Sequence, residues 1–217
     1  MVVTIDGPAA SGKSSVSRDL AKKLGWKWVS TGAFYRGLAY VAANSDIDLD
    51  SEKEVLDVAT GESWLVVMAP EKTEVHFKGE DVSDKVFSEG MGAVASKISQ
   101  YPKVREALLE PQRQCAENVA GLVAEGRDCG SVVFPNAEVK IYLTANEKLR
   151  AARRAMQTGD DIKNVQAKTD ARDKQDSTRK TAPMTIPENA VVVETSELSL
   201  EEVVDKVYGI IQESLKS

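Results

Sequence analysis

The residues Gly7, Pro8, Ala9, Ala10, Ser11, Gly12, Lys13 and Ser14 match G-x-x-x-x-G-K-[ST] at every fixed position, and Ser15 follows them. Such a stretch is suited to holding phosphate. Glycine at the fixed positions lets backbone N–H groups converge on an anion with no Cβ in the way, and a helix starting there adds the positive end of its dipole. Lys13 would reach the β- and γ-phosphates of a nucleotide, and the Ser14 hydroxyl would take one position on Mg²⁺. The flanks supply the context a P-loop requires. Val2, Val3 and Ile5 form an apolar, β-branched run that reads as a buried strand. The stretch VSRDLAKKLG runs at helical spacing and stops at Gly25, a C-cap residue. Nucleotide-phosphate binding by Gly7–Ser15 is the expectation.

The next residues able to do chemistry are arginines. Arg36, Arg105, Arg127, Arg153, Arg154, Arg172 and Arg179 fall at the ends of expected elements. Arg36 lies one turn inside a helix that Thr31 can cap, where an anion is favoured. Moving a phosphoryl group from ATP to a second phosphate brings two polyanions together. The acceptor oxygen is already ionised near neutral pH, so no strong base is needed. Charge neutralisation, alignment and dryness are. One histidine and many arginines suit that task better than hydrolysis by a positioned water. The histidine, His76, sits in an alternating strand without a partner pattern and reads as structural. Cys129 reads as a small packing residue. A P-loop alone leaves a kinase, an ATPase motor, a transporter subunit and a GTPase open. The N-K-x-D guanine motif is missing, and a motor or transporter would need a longer chain or partner domains.

The elements that must position these residues alternate. Strands are expected at 26–29, 121–125, 139–143 and 190–193, and helices to about Ala43, at 51–59, 86–99, 104–118, 147–156 and 199–215. Gly121–Glu125 ends in an acid followed by Gly126-Arg127-Asp128, as a buried parallel strand delivers polar groups to the carboxyl edge of a sheet. Ser63–Met68 and Thr73–Phe77, with a turn at Gly79-Glu80-Asp81, suggest a small antiparallel insert. Residues 150–180 hold fourteen charged side chains, which read alone as a solvated helical face. The pattern asks for an α/β fold with a doubly wound parallel sheet of about five strands and helices on both faces. With 217 residues, 42% hydrophobic and 29% charged, the chain can bury a real core. The mean hydropathy is −0.29, and no apolar run approaches a membrane span. A net charge of −6 speaks against a nucleic-acid-binding surface. With two cysteines and a first strand starting at Val2, a cytoplasmic protein without a signal peptide is expected.

The combination TIDGPAASGKSS, STGAFYRGLA, PKVREALL, AEGRDCGSVVFP and ARDKQDSTRKTAP resembles, in order and over nearly the whole chain, the bacterial cytidylate kinases, nucleoside monophosphate kinases of the P-loop class. The resemblance implies a single domain over residues 1–217. Its acceptor-binding region would span about 31–118 with the β insert at 62–80, and a mobile lid would span about 154–172. It implies transfer of the ATP γ-phosphate to CMP or dCMP with Mg²⁺, by a monomer without nucleic-acid or membrane partners. Gly7–Ser15, Arg153 and Arg154 would hold ATP, and Ser14 and Glu125 would serve the metal. Lys13, Arg127, Arg172 and Arg179 would assist transfer. Thr31, Arg36, Arg127 and Arg179 would meet the acceptor phosphate and Asp176 its ribose, while Tyr35 would pack beside it. Ser96, Arg105 and Asp128 would read cytosine, whose N4 amino group donates to a carboxylate where uracil would present O4. Three features depart from the family. Glu125 stands where Asp is usual, Gln175 where a further lid arginine is expected, and the lid is short. A nucleotide switch and a kinase for UMP or AMP are the rival readings.

Overall fold

In the computed structural model, which describes residues 1–215 apart from the side chains of Glu89 and Gln157, strands and helices alternate as the pattern asks. β1 (Val2–Asp6) leads through the Gly-rich turn to α1 (Lys13–Leu24). β2 (Lys27–Ser30), α2 (Gly32–Ala43) and α3 (Glu52–Ala59) follow. β3 (Trp64–Met68), β4 (Thr73–Phe77) and β5 (Glu80–Asp81) come next. Then come α4 (Ser83–Val86), α5 (Glu89–Ile98), α6 (Pro102–Gln114) and β6 (Leu122–Gly126), with a π-helical turn at Cys129–Val133. The chain continues through β7 (Val139–Thr144), α7 (Glu147–Thr158), α8 (Ile162–Thr178), β8 (Val191–Glu194) and α9 (Leu200–Ser214).

The main sheet has five strands in the order β2-β6-β1-β7-β8, and each adjacent pair is parallel. β1 is therefore central and opens the Gly-rich turn at its carboxyl end, where open α/β sheets bind ligands. Both faces are buried. On one side Val3, Ile5 and Ile141 pack against Val16 and Leu20 of α1 and Val203, Val207 and Ile211 of α9. On the other, Val29, Leu122 and Ala124 pack against Leu38 of α2, Val55 of α3, Ile98 of α5 and Leu108 of α6. α9 is started by a capping box in which Ser199 and Glu202 bond each other's backbone.

The insert β3-β4-β5 is a separate antiparallel sheet. It packs on α2, where a Cβ at Gly37 would lie 2.9 Å from Val75 and 3.1 Å from Trp64. It also covers the outer strand of the main sheet: the Trp28 indole donates to Pro70 O at 3.1 Å, and the Ser30 N–H to Thr73 Oγ1 at 2.9 Å. An edge that would otherwise template aggregation is thereby covered.

Several local expectations change. The turn in the insert is Lys78-Gly79, both with positive φ, and Glu80–Asp81 is a strand. The helix expected over 86–99 is two, because Ser88 is extended (ψ 158) and interrupts it. The Val86 and Ser88 carbonyls thus released accept from Arg36 at 3.3 and 3.1 Å. The helix expected over 104–118 starts at Pro102, the favourable first position, and ends at Gln114. Thr31 occupies the N-cap position of α2 without making the cap bond. Its hydroxyl donates instead to Glu125 O at 3.0 Å. The charged stretch is an antiparallel helical hairpin, α7 and α8. Gly159 ends α7 with a φ of +73.

Gly121 tests how closely the ends of β2 and β6 pack. A Cβ there would fall 2.2 Å from the Trp26 ring. Gly121→Ala should cost about 1–3 kcal/mol, read as a fall in Tm of roughly 3–10 °C. An unchanged Tm would mean the ring is free to move aside.

Candidate active site

The Gly-rich turn lines a cleft of about 740 Å³ at the carboxyl end of β1. Gly7 has a φ of +149, and a Cβ there would lie 2.2 Å from Leu143 O, so only glycine fits between the first turn and β7. Gly12 starts α1 at a φ of +90 with open space where a Cβ would be, which leaves the N–H groups behind it free to face an anion. Lys13 is buried, and its Nζ donates to Pro8 O at 2.7 Å. Burial, and then the nearby Arg127, lower its pKa to about 8. The Ser14 hydroxyl donates to Glu125 Oε1 at 2.9 Å. Among the described residues no cluster of three or more His, Cys, Asp or Glu is arranged to hold a metal. A hydroxyl and a single carboxylate, both hard oxygen donors on the cleft wall, fit Mg²⁺, which keeps several waters and takes its other ligands from phosphates.

Behind the turn, Asp6 accepts the N–H groups of Cys129 at 2.8 Å and Gly130 at 2.7 Å. Burial pushes its carboxyl up to about 6 against the pull of those two bonds. Asp6 thus ties the loop carrying Arg127 and Asp128 to the end of β1. Cys129 is fully buried, and burial raises its thiol well above the ordinary range, as a packing residue requires. His76 pairs with Glu74 at 3.0 Å within β4 and does not line the cleft.

The other arginines divide into two groups. Arg36, Arg127, Arg153, Arg154 and Arg172 line the cleft. Arg153 is anchored by donating to Thr195 O at 2.8 Å. Arg36 of α2 and Arg172 of α8 converge over Gly92 of α5, where a Cβ would lie 2.9 Å from one guanidinium and 3.0 Å from the other. Arg105 and Arg179 instead join Asp128 in a buried cluster beside the cleft. Arg105 makes a close ion pair with Asp128, donates to Ser99 O at 3.2 Å, and lies over the Tyr35 ring at 5.2 Å. Arg179 approaches Asp128 at 3.3 Å and Asp176 at 3.8 Å, and burial lowers its pKa. Ser96 donates to Asp176 at 3.3 Å. Gln175, where a lid arginine is expected, donates to Ser96 O at 3.0 Å. Arg127 joins the two groups, because its Nε meets Asp176 at 3.1 Å while it also lines the cleft.

Of the residues singled out in the sequence, Ser96, Tyr35, Arg105, Asp128, Asp176 and Arg179 thus form one connected cluster. Gly7 adjoins the cleft, Pro8 accepts from Lys13, and Ala9 to Ser15 line it with Glu125. Thr31 stands apart, buried, with its hydroxyl committed to Glu125 O and Cys129 Sγ. Three residues escaped the reading: Asp6, Arg150 and Asp173. Arg150 and Asp173 form an ion pair at 2.6 Å, and Asp173 also meets Arg127 at 2.8 Å. Asp173 lies between Arg172 and Asp176, and Asp6 directly precedes Gly7, so adjacency to marked residues was the available signal.

A family model described as cytidylate kinase matches residues 3–213. A cytidylate kinase of Bdellovibrio bacteriovorus is 55% identical over 99% of each chain. One of Aeromonas hydrophila is 40% identical over 99% of this chain and 95% of its own. Among solved structures, an uncharacterised protein from Eubacterium ventriosum superposes with a TM-score of 0.57 at 11% identity, covering 98% of both chains. Shikimate kinase from Acinetobacter baumannii superposes with a TM-score of 0.50 at 12% identity, covering 98% of this chain and 93% of its own. Those two likenesses concern the fold alone. With strand–turn–helix, arginine-lined cleft and full-length relatives in agreement, the chain belongs to the cytidylate kinase family.

Proposed function

We propose that the protein transfers the γ-phosphoryl group of ATP to CMP or dCMP, giving ADP and CDP or dCDP. The observation that carries this reading is the junction at Arg127, which joins a phosphate-shaped cleft to a buried Arg105–Asp128–Arg179 cluster. The cleft suits the donor: the turn Gly7–Ser15 offers N–H groups, Lys13 a cation, and Arg153 and Arg154 further positive charge along its wall. Mg²⁺, held through Ser14 and Glu125, would neutralise charge on the donor phosphates.

The buried cluster suits the acceptor. Asp128, held by Arg105, presents a carboxylate that can accept from the N4 amino group of cytosine. Asp176 would take a ribose hydroxyl, with Ser96 bonded to it. Arg36, Arg127, Arg172 and Arg179 would surround the acceptor phosphate. Thr31, committed elsewhere, would act only through the backbone it holds. An already ionised acceptor oxygen explains why the site needs no histidine: His76 belongs to the insert. The α7–α8 hairpin, over about 154–172, would serve as the lid. Its closure would exclude water from the donor phosphate. No helix among the described residues is long and apolar enough to cross a membrane, and both cysteines are free. A monomer in the cytoplasm is part of the proposal.

The direct test couples ADP formation to acceptor identity: ADP should appear rapidly with CMP or dCMP and barely without an acceptor. Steady ADP release from ATP alone would indicate a hydrolytic switch, and a faster rate with UMP or AMP would reassign the base.

Two further outcomes follow from the site's charges. Lys13 carries its charge below a pH of about 8 and loses it above. The profile of kcat/KM for MgATP should therefore bend downward above that pH. The kcat profile should bend later, because bound phosphates restore the charge. Lys13→Met should remove this limb and lower kcat by about 10²–10³-fold, with the far-ultraviolet circular dichroism unchanged. Asp128→Asn should narrow the preference for CMP over UMP by roughly 10- to 100-fold. An unchanged ratio would remove Asp128 from base reading.

A further inference from the structure

Both backbone polar groups of Ala9, in the middle of the P-loop, are held by side chains from the helical hairpin. The Ala9 N–H donates to Asp173 Oδ1 at 2.9 Å, and the Ala9 carbonyl accepts from Arg150 at 2.8 Å. The same Arg150 nitrogen donates to Asp173 Oδ2 at 2.6 Å, so the three residues close a ring. Asp173 Oδ1 also accepts from Arg127 at 2.8 Å, and the Arg127 nitrogen that makes this bond approaches Gly7 O at 3.2 Å. One carboxylate thus meets the P-loop backbone, a cleft-lining arginine and a buried arginine. Arg150 is 5% exposed. It lies near the start of α7, and Asp173 lies in the last third of α8, so both stand at the root of the hairpin, far along the chain from Gly159 at its tip.

Two physical features make this arrangement more than an ion pair. Ala10, next to the clamped residue, has a φ of +57. A side chain in that conformation is kept there only when its surroundings over-determine it, and the ring on Ala9 supplies that constraint. Lys13 and Arg127 also repel one another in a partly desolvated space, and Lys13, Arg127 and Arg150 each interact with Asp173. Burial pushes the Asp173 carboxyl up, but Arg127, the Ala9 N–H and Arg150 together hold it below its ordinary value, so it stays ionised.

We propose that Arg150 and Asp173 are a positioning pair for phosphoryl transfer. They lock the P-loop at Ala9–Ala10 in its phosphate-receiving form and fix the direction in which Arg127 faces the cleft. They touch backbone and guanidinium rather than the phosphates. The inference rests on the phosphotransferase reading of the site and adds two residues to it.

The test uses the full-length protein with Asp173→Asn, Arg150→Met, the double variant and Arg150→Lys. Wild-type transfer to CMP is measured first. Its absence would refute the phosphotransferase reading, and calorimetry with MgADP would then judge the pair on its own. Each single variant should lower kcat by roughly 10²-fold and weaken MgADP binding. CMP binding measured without ATP should weaken clearly less than MgADP binding, because the pair holds the P-loop backbone directly and meets the acceptor side only through Arg127. The double variant should be no worse than either single, since the two act as one unit. Arg150→Lys, whose amine can reach both acceptors, should recover most of the lost rate. Full activity in either single variant, additive losses, no recovery with lysine, or equal weakening of MgADP and CMP binding would each overturn the proposal.

Discussion

Positive charge confined in a half-desolvated space is the constraint on which this structure depends. Two polyanions can be brought together only where cations already wait, but cations out of water repel one another and lose solvation. The protein meets this with fixed carboxylates. Asp173 stands between Arg127 and Arg150, Asp128 and Asp176 share Arg179, and Glu125 and Asp6 lie near Lys13. The fold follows from that need. A parallel sheet delivers Asp6, Glu125 and the loop after β6 to one edge, and α8 brings Asp173 and Asp176 onto the same edge from the opposite side. Residual strain is visible where compensation is incomplete: Lys13 and Asp6 both have pKa values displaced toward their neutral forms by burial.

How much of this could be read from the residues alone depended on periodicity. β1, β6, β7 and α9 carry apolar runs or a clear stripe, and their positions came out within a residue or two, while α1 starts three residues earlier than expected, at Lys13. α8 did not, because charged residues occur all round it and no apolar stripe marks it. It is held by ion pairs and by Val165 and Thr169, which a pattern search passes over. The break between α4 and α5 was equally invisible, since it depends on Arg36, some fifty residues upstream, accepting the role of cap for two stranded carbonyls.

The site was legible in proportion to how much of its chemistry is local. Phosphate binding is written into eight consecutive residues, and a pattern of fixed spacing recovers it. The pairing of Arg105 with Asp128, or of Ser96 with Asp176, spans 23 and 80 residues; the likeness to a family marked these residues as ligand-facing but not the bonds between them. Arg150 and Asp173 bind main chain and other side chains rather than ligand, so nothing in their own neighbourhood announced them. Thr31 shows the opposite case: a residue type suited to capping was given that role by its place before a helix, whereas its hydroxyl accepts no helix N–H and donates to the carbonyl of Glu125.

The insert has a consequence for inheritance. Its three strands are short, and the buried Val75 of β4 is completed by Val82 and Val86 at the start and end of α4 and by Ala33 of α2 rather than by a core of the strands' own. Val75 and Trp64 also press against the bare backbone at Gly37, and Trp28 and Ser30 on the outermost strand rely on it for partners. The smallest piece that could be exchanged intact between related enzymes is therefore β2 through α4 taken together. Chimeras cut at the ends of the insert alone would leave α2 with a naked flank and the outer strand with an orphaned amide.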